Sequence, residues 1–390
     1  MANTIHALMF TAESQKGHAR YTRDLLSAMA TVGKDRGIST ELVTGSDLSP
    51  IYLSEQYPIH PILPPIVDRG TFKTRLSWSL SRVSHYLRRE RVFLRYIESR
   101  PDIRLVHLQE YTPWLATTHF PRLRRAGVDV VMTVHNIANY GHSSRTYMKA
   151  MKGTWRRARR ACSALIVHTE GLRDELAEDL GLGHPPIHVT PHAVWEERST
   201  SPVASTPPRS GEPARLLFFG MVRPNKGLHV LLRAMEELPS CRLTIAGEHE
   251  DPSYRAEIHR LIARLPSGSV EMIDKFIDEN EIAGYFDRSH LVILPYTDFA
   301  SQSGVLHQAL AHARPVVASD VGGLGESVRS WGIGQVVLPK DEHSLASGIL
   351  SVLGLENYLA ASEATHRVRE QLTWANMAEA TCDVYRSLVD

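Results

Sequence analysis

Residues 291–326 read LVILPYTDFASQSGVLHQALAHARPVVASDVGGLGE, and this stretch decides the fold class. Leu291–Leu294 is a short apolar run closed by Pro295, which predicts a buried strand and its exit. Ser301-Gln302-Ser303-Gly304 supplies capping residues just ahead of Val305, Leu306, Ala309 and Leu310, which fall at helical spacing. Arg314-Pro315 ends that helix, Val316–Ala318 is the next strand, and Gly322-Gly323 predicts a tight turn. Two strand ends and a helix N-terminus thus converge, which is where an open parallel sheet binds ligands. An ordinary βαβ unit explains the periodicity but not so many hydrogen-bonding residues at one end.

The same rhythm runs through the chain on either side. Apolar runs at Ile5–Phe10, Ser39–Val43, Leu105–Leu108, Val128–Val134, Ala164–Val167 and Ile187–Thr190 predict strands in the first half. Residues 46–68 are rich in Pro and Tyr without periodicity, which predicts a long surface loop. Residues 69–100 predict one or two basic amphipathic helices, with Leu76, Leu80, Val83 and Leu87 as the apolar stripe. Residues 195–214 are enriched in Ser, Pro and Thr and predict a domain linker. Strands then restart at Arg215–Phe219, Arg242–Ala246 and Val270–Ile273, with helices over Leu228–Leu238, Glu257–Leu265, Glu279–Ser289 and Glu342–Leu353. Strands alternating with helices imply parallel sheets covered on both faces. At 390 residues the chain is too long for one core, and two domains are expected.

Composition narrows the class. Hydrophobic residues at 43% and charged residues at 22% describe an ordinary globular protein, and a net charge of +1 gives no reason to expect a nucleic-acid partner. The charge is uneven, since residues 1–200 hold 27 Lys and Arg against 19 Asp and Glu. A basic first half steers anionic ligands or rests on an anionic membrane. The arginines of 82–91 and the cluster Arg156-Arg157-Ala158-Arg159-Arg160 keep the membrane alternative open beside that of a solvated helix face. Cys162, Cys241 and Cys382 match no metal or redox spacing and read as reduced core residues. No apolar run approaches the ~20 residues that span a bilayer, and the N-terminus lacks a signal-peptide pattern. The expectation is a cytoplasmic protein, with peripheral contact at the inner membrane face as the open alternative.

The strongest chemical signal in the second half is Gly220-Met221-Val222-Arg223-Pro224-Asn225-Lys226-Gly227, between a strand and a helix. The glycines allow close backbone approach, and Arg223 and Lys226 bring two positive charges to a helix N-terminus, a good anion site. It is not a Walker A loop, because the glycine spacing and the Ser or Thr after Lys are missing. Combined with Ser303-Gly304 and Gly322-Gly323, it predicts a phosphate or diphosphate cradle. No Asp-x-Asp pair and no cluster with metal-ligand spacing occurs, so no metal ion is expected.

These features resemble the family 4 retaining glycosyltransferases of the GT-B fold over nearly the whole chain. That resemblance implies two doubly wound Rossmann-like α/β domains facing across a cleft: an acceptor domain over 1–194, the linker 195–214, and a nucleotide-sugar domain over 215–372. A final helix over 373–390, from Trp374, would cross back to the first domain. It implies transfer of a sugar, hexosyltransferase type, from a nucleotide-diphosphate sugar to a saccharide or lipid-linked acceptor, as in polysaccharide assembly. A soluble small-molecule acceptor stays open. The co-substrate serves in place of a cofactor.

Lys226 and Arg223 would hold the diphosphate, although the family's usual arginine position is occupied by Met221. His135, after the TVH strand, would line the cleft near the reacting carbon, with Glu110 as an acceptor contact. Gly17 matches a loop over the donor phosphate, and Gly220, Gly304 and Glu326 lie near the donor. The family has two glutamates separated by seven residues, where this chain has Ala300 and Gln308. Recognition of the sugar hydroxyls would shift to Asp298, Ser301, Gln302 or backbone amides at the helix start, with Ser303 also a donor-binding residue. That departure leaves two rivals open: another GT-B enzyme, such as a phosphorylase or epimerase, and a non-catalytic nucleotide-sugar binder.

Overall fold

The structure, a computed structural model, describes residues 4–11, 17–48, 52, 56–65, 75–109, 111, 113–135, 137, 145–195, 205–298 and 303–389. The chain forms two compact units, Met1–His192 with Trp374–Asp390, and Ala193–Thr373.

The first unit runs β1 (Ile5–Phe10), α1 (Gly17–Asp35), β2 (Ile38–Gly45), β3 (Ile59–Leu63), α2 (Arg75–Glu98), β4 (Ile103–Leu108), α3 (Pro113–Arg125), β5 (Asp129–Thr133), α4 (Arg145–Arg160), β6 (Ala164–Val167), α5 (Glu170–Leu180) and β7 (Ile187–Val189). The sheet order is β3-β2-β1-β4-β5-β6-β7, parallel throughout. Strand order reverses between β1 and β4, so the loops after them splay apart and leave a crevice at their C-terminal ends. Leu8, Phe10, Val106, Leu108 and Val130 are fully buried, as strands covered on both faces require.

The second unit runs β8 (Ala214–Phe219), α6 (Leu228–Ala234), β9 (Cys241–Ala246), α7 (Pro252–Ile262), β10 (Val270–Ile273), α8 (Glu279–Arg288), β11 (Leu291–Leu294), α9 (Gly304–Ala311), β12 (Val316–Ser319), α10 (Gly322–Trp331), β13 (Gly334–Val337), α11 (Glu342–Leu353) and α12 (Leu355–Gln371). Its parallel sheet is ordered β10-β9-β8-β11-β12-β13, with the reversal between β8 and β11. The last helix, α13 (Trp374–Val389), packs in the first unit against α1. There Tyr385 Oη meets His107 Nδ1 at 2.7 Å, and Arg36 pairs with Asp383 and Glu379.

Four expectations differ from the structure. Part of the 46–68 loop is β3, an edge strand beside β2. Its Pro61 has no N–H to donate, which is tolerated at a sheet edge. Gly322-Gly323 opens α10 instead of making a turn, so Glu326 sits on a helix. Trp195 and Ser205 are buried within the second unit; Gly304 lies against the Trp195 ring, and Ser205 Oγ bonds Tyr358 Oη at 2.5 Å. The ends of the expected linker are thus part of that unit, and residues 196–204 lie outside the described residues.

The fourth concerns the basic clusters, where Arg89, Arg156, Arg159 and Arg160 have partners inside the first unit. Arg156 pairs with Asp179 at 2.9 Å, and Arg159 donates to Ile137 O at 3.1 Å. Arg160 binds the carbonyls of Leu180 and Leu182, closing the C-terminus of α5; cations there satisfy orphan carbonyls and oppose the helix dipole. Arg89 is buried and donates to Pro64 O, whereas Arg88 and Arg91 stay exposed. Among the described residues no single helix is long and apolar enough to cross a membrane. All three cysteines are buried and free.

Candidate functional site

At the reversal point of the second sheet, the loop after β8 folds onto the exit of β11. Gly220 N donates to Ala246 O at 2.9 Å, and Val222 N to Glu248 O at 2.9 Å, so the loop first follows β9. It then makes one 3₁₀ turn, Pro224–Lys226, in which Pro pre-sets the first φ. Gly227 stops the turn with φ 71° and caps the start of α6. A Cβ on Gly227 would lie 1.8 Å from Pro295 O, so only glycine lets the turn lie flat on the β11 exit. Thr297 N donates to Asn225 O at 2.9 Å, and Asn225 Nδ2 to Asp298 O at 3.4 Å.

This seating fixes the charges. Lys226 Nζ stands 3.7 Å from the centroid of the Tyr296 ring, well inside cation–π range. Arg223 forms an ion pair with Glu250 of the loop after β9, including Nη2 to Oε1 at 3.3 Å. Gly220 sits beside Val305 in the first turn of α9, so β8, β11 and α9 place Gly220, Arg223, Lys226, Asp298, Ser303 and Gly304 along one edge. Gln308 is buried on α9 and Glu326 is half-buried on α10. Ala300, Ser301 and Gln302 lie outside the described residues.

The first unit has its own cluster at the C-terminal ends of its strands. His135 follows β5, and its Nε2 meets Gln109 Oε1 at 2.9 Å. An amide oxygen only accepts, so His135 Nε2 carries the proton. The Tyr21 ring of α1 meets the imidazole edge-on at 4.8 Å. Gly17 is the first residue of α1, one turn before Tyr21, so this helix starts at the same edge as His135. Behind them, His107 is bonded to Tyr385 Oη and to Thr133 Oγ1, each at 2.7 Å. His168 Nδ1 donates to Thr190 O at 2.8 Å. Burial pushes His107 down to about 3 and His168 to about 4, because a charged imidazole there would lose its hydration. Both are neutral framework groups. Glu110 lies outside the described residues, and among those described no group of three or more His, Cys, Asp or Glu converges to hold a metal ion.

Residue patterns alone did not single out Tyr296, Glu250 or Gln109. Tyr296 had a visible signal, as the aromatic next to Pro295 at the strand exit. Glu250 and Gln109 are ordinary polar residues whose partners lie 27 and 26 positions away, and only the fold joins them.

The model of the family described as Glycosyltransferase Family 4 matches residues 16–198, and that of Glycosyl transferases group 1 matches residues 213–354. Between them they span most of both units. The chain belongs to the group 1, family 4 glycosyltransferases. This glycosyltransferase is similar to glycogen synthase of Mycobacterium tuberculosis, 27% identical over 95% of this chain and 90% of the relative. GDP-mannose:glycolipid 4-beta-D-mannosyltransferase of Xanthomonas campestris is 29% identical over 50% of this chain and 52% of that one. Sucrose-phosphate synthase from Thermosynechococcus elongatus shares the fold at a TM-score of 0.72 and 19% identity, over 99% of each chain. Two Rossmann-like parallel-sheet units in one chain are the GT-B fold.

Proposed function

We propose that this glycosyltransferase moves a sugar from a nucleoside-diphosphate sugar to an acceptor hydroxyl, holding the diphosphate on the second unit with Arg223, Lys226 and the start of α9. The observation that carries the reading is the Pro224–Lys226 turn, seated by Gly227 on the exit of β11 at the sheet's reversal point. Two cations and a helix N-terminus on one edge suit a diphosphate. Similarity to the mannosyltransferase, whose name specifies a GDP-sugar and a glycolipid, supports a nucleotide donor and a saccharide or lipid-linked acceptor.

In the reaction the bond between the anomeric carbon and the diphosphate oxygen breaks, and a bond to the acceptor oxygen forms. The acceptor's proton leaves towards the departing diphosphate. Negative charge grows on that leaving group, so Lys226 and Arg223 act most strongly in the transition state. They do so without a divalent ion, and family 4 membership supports retention of the anomeric configuration. Gly304, Asp298, Gln308 and Glu326 would meet the ribose and sugar hydroxyls, with Gln308 able both to accept and to donate. On the first unit, Gly17 and His135 stand at the C-terminal edge of that unit's own sheet, His135 with its Nε2–H committed to Gln109.

Incubating the protein with UDP-, GDP- and ADP-sugars and a saccharide acceptor tests the reading, with free nucleoside diphosphate as the product measured. Release that depends on acceptor and persists in EDTA is expected. Turnover requiring inorganic phosphate identifies a phosphorylase instead, and binding without turnover on any acceptor identifies a non-catalytic binder.

A further inference from the structure

Ser303 is the N-cap residue of α9, yet its side chain makes no capping bond to the helix. An N-cap serine ordinarily accepts from the second or third amide of its helix. Here the hydroxyl, buried at 1% exposure, is bonded instead to Tyr296 Oη at 2.9 Å. The Tyr296 ring is equally buried and lies under the Lys226 ammonium at 3.7 Å. One side chain therefore touches both parts of the proposed diphosphate cradle: the cation from the loop after β8 and the cap of the helix after β11.

We propose that Tyr296 is the positioning residue of this cradle, its ring face holding the Lys226 ammonium in place while its hydroxyl draws the Ser303 side chain away from the first amides of α9. The inference rests on the diphosphate reading above and adds how the two anion-binding parts are kept in register. A lysine on a flexible stem loses rotamer entropy when it is fixed on a ligand. Resting on an aromatic face, it has already lost part of that freedom before the ligand arrives. Leu306 N donates to Ser303 O at 3.0 Å, so with the hydroxyl turned away the amides left for the ligand are those of Gly304 and Val305.

The test is a double-mutant cycle on the full chain, with UDP, GDP and ADP as probes and dissociation constants from calorimetry. Tyr296→Leu is expected to weaken diphosphate binding by about tenfold in the native background, from the strength of a partly desolvated cation–π contact. In a Lys226→Ala background the same substitution should change binding by less than about twofold, since coupled residues are non-additive. Replacing Tyr296 by phenylalanine and then by increasingly fluorinated phenylalanines keeps shape and burial but drains the negative ring face. Affinity should fall stepwise with fluorination, and only when Lys226 is present; this arm also covers a Tyr296→Leu variant that does not fold. Equal losses in both backgrounds, or no dependence on fluorination, overturn the positioning role. Native affinity in Lys226→Ala, or no binding of any of the three diphosphates by the native chain, overturns the reading beneath it.

Discussion

His107 and His168 make the first unit acid-sensitive in a window that carboxylates do not share. Both imidazoles are buried, with their pKa values pushed down to about 3 and about 4. In the unfolded chain they titrate near 6.5. Above that value both states are neutral, and the two groups contribute nothing to the pH dependence. Below it the unfolded chain binds protons that the native unit refuses, so stability falls with pH until each native pKa is passed. Each group's slope rises towards ~1.4 kcal/mol per pH unit below 6.5, so lowering the pH from 6.5 to 5.5 should remove about 1 kcal/mol per group, roughly 2 kcal/mol from this unit. Glu41 and Asp179 have pKa values below the ordinary carboxylate range: burial alone would raise them, but hydrogen bonds from Arg100 and His60, and from Arg156 and Lys152, outweigh it. Their loss of stability therefore comes at lower pH.

Hydrogen exchange at the β4 and β5 amides, corrected for intrinsic rates, reads this unit alone. Protection should drop by about thirtyfold across that pH unit. His107→Gln and His168→Gln should each abolish about half of the drop, whatever they cost at neutral pH. That subtraction separates them from His85, His119 and His188, which burial also shifts down. Variants that retain the full drop would refute the assignment.

Three further outcomes are expected. Gly227→Ala forces a Cβ onto Pro295 O at a left-handed φ, so it should destabilise the second unit by about 2–4 kcal/mol in urea melts and abolish diphosphate binding. Glu250→Gln removes the carboxylate that neutralises Arg223 and should tighten UDP or GDP binding by about threefold, the scale of a part-exposed ion pair. Gln109→Leu leaves His135 Nε2–H without its acceptor; turnover should drop by about tenfold with donor affinity unchanged, as stopped-flow and calorimetry would show.

The architecture was legible because strands buried on both faces must be apolar runs, and Leu291–Leu294 and Val316–Ser319 are such runs ending at polar loops. The Arg223–Gly227 turn was legible too, since glycine and proline at fixed offsets have few backbone solutions. What stayed hidden depended on pairing at a distance. The β3 strand is short, at an edge, and broken by Pro61, so it shows no alternation. α12 buries Tyr358, Ala361, Ala364, Thr365 and Val368, a stripe partly of small and polar residues that carries little hydrophobic signal. Gly322-Gly323 suggested a turn because glycine is costly inside helices, yet a helix start tolerates it. The arginine clusters looked like a surface because charge is usually solvated; their carbonyl and carboxylate partners, 20 to 25 residues away, were not readable.

The central claim is that Lys226 carries charge from the leaving diphosphate. The most direct measurement is single-turnover release of nucleoside diphosphate by the native chain and by Lys226→Ala, with saturating sugar nucleotide and acceptor. A fall of about 10²–10³-fold, with melting unchanged and only partial rescue by Lys226→Arg, is the predicted result. Release by Lys226→Ala within threefold of the native rate would contradict it.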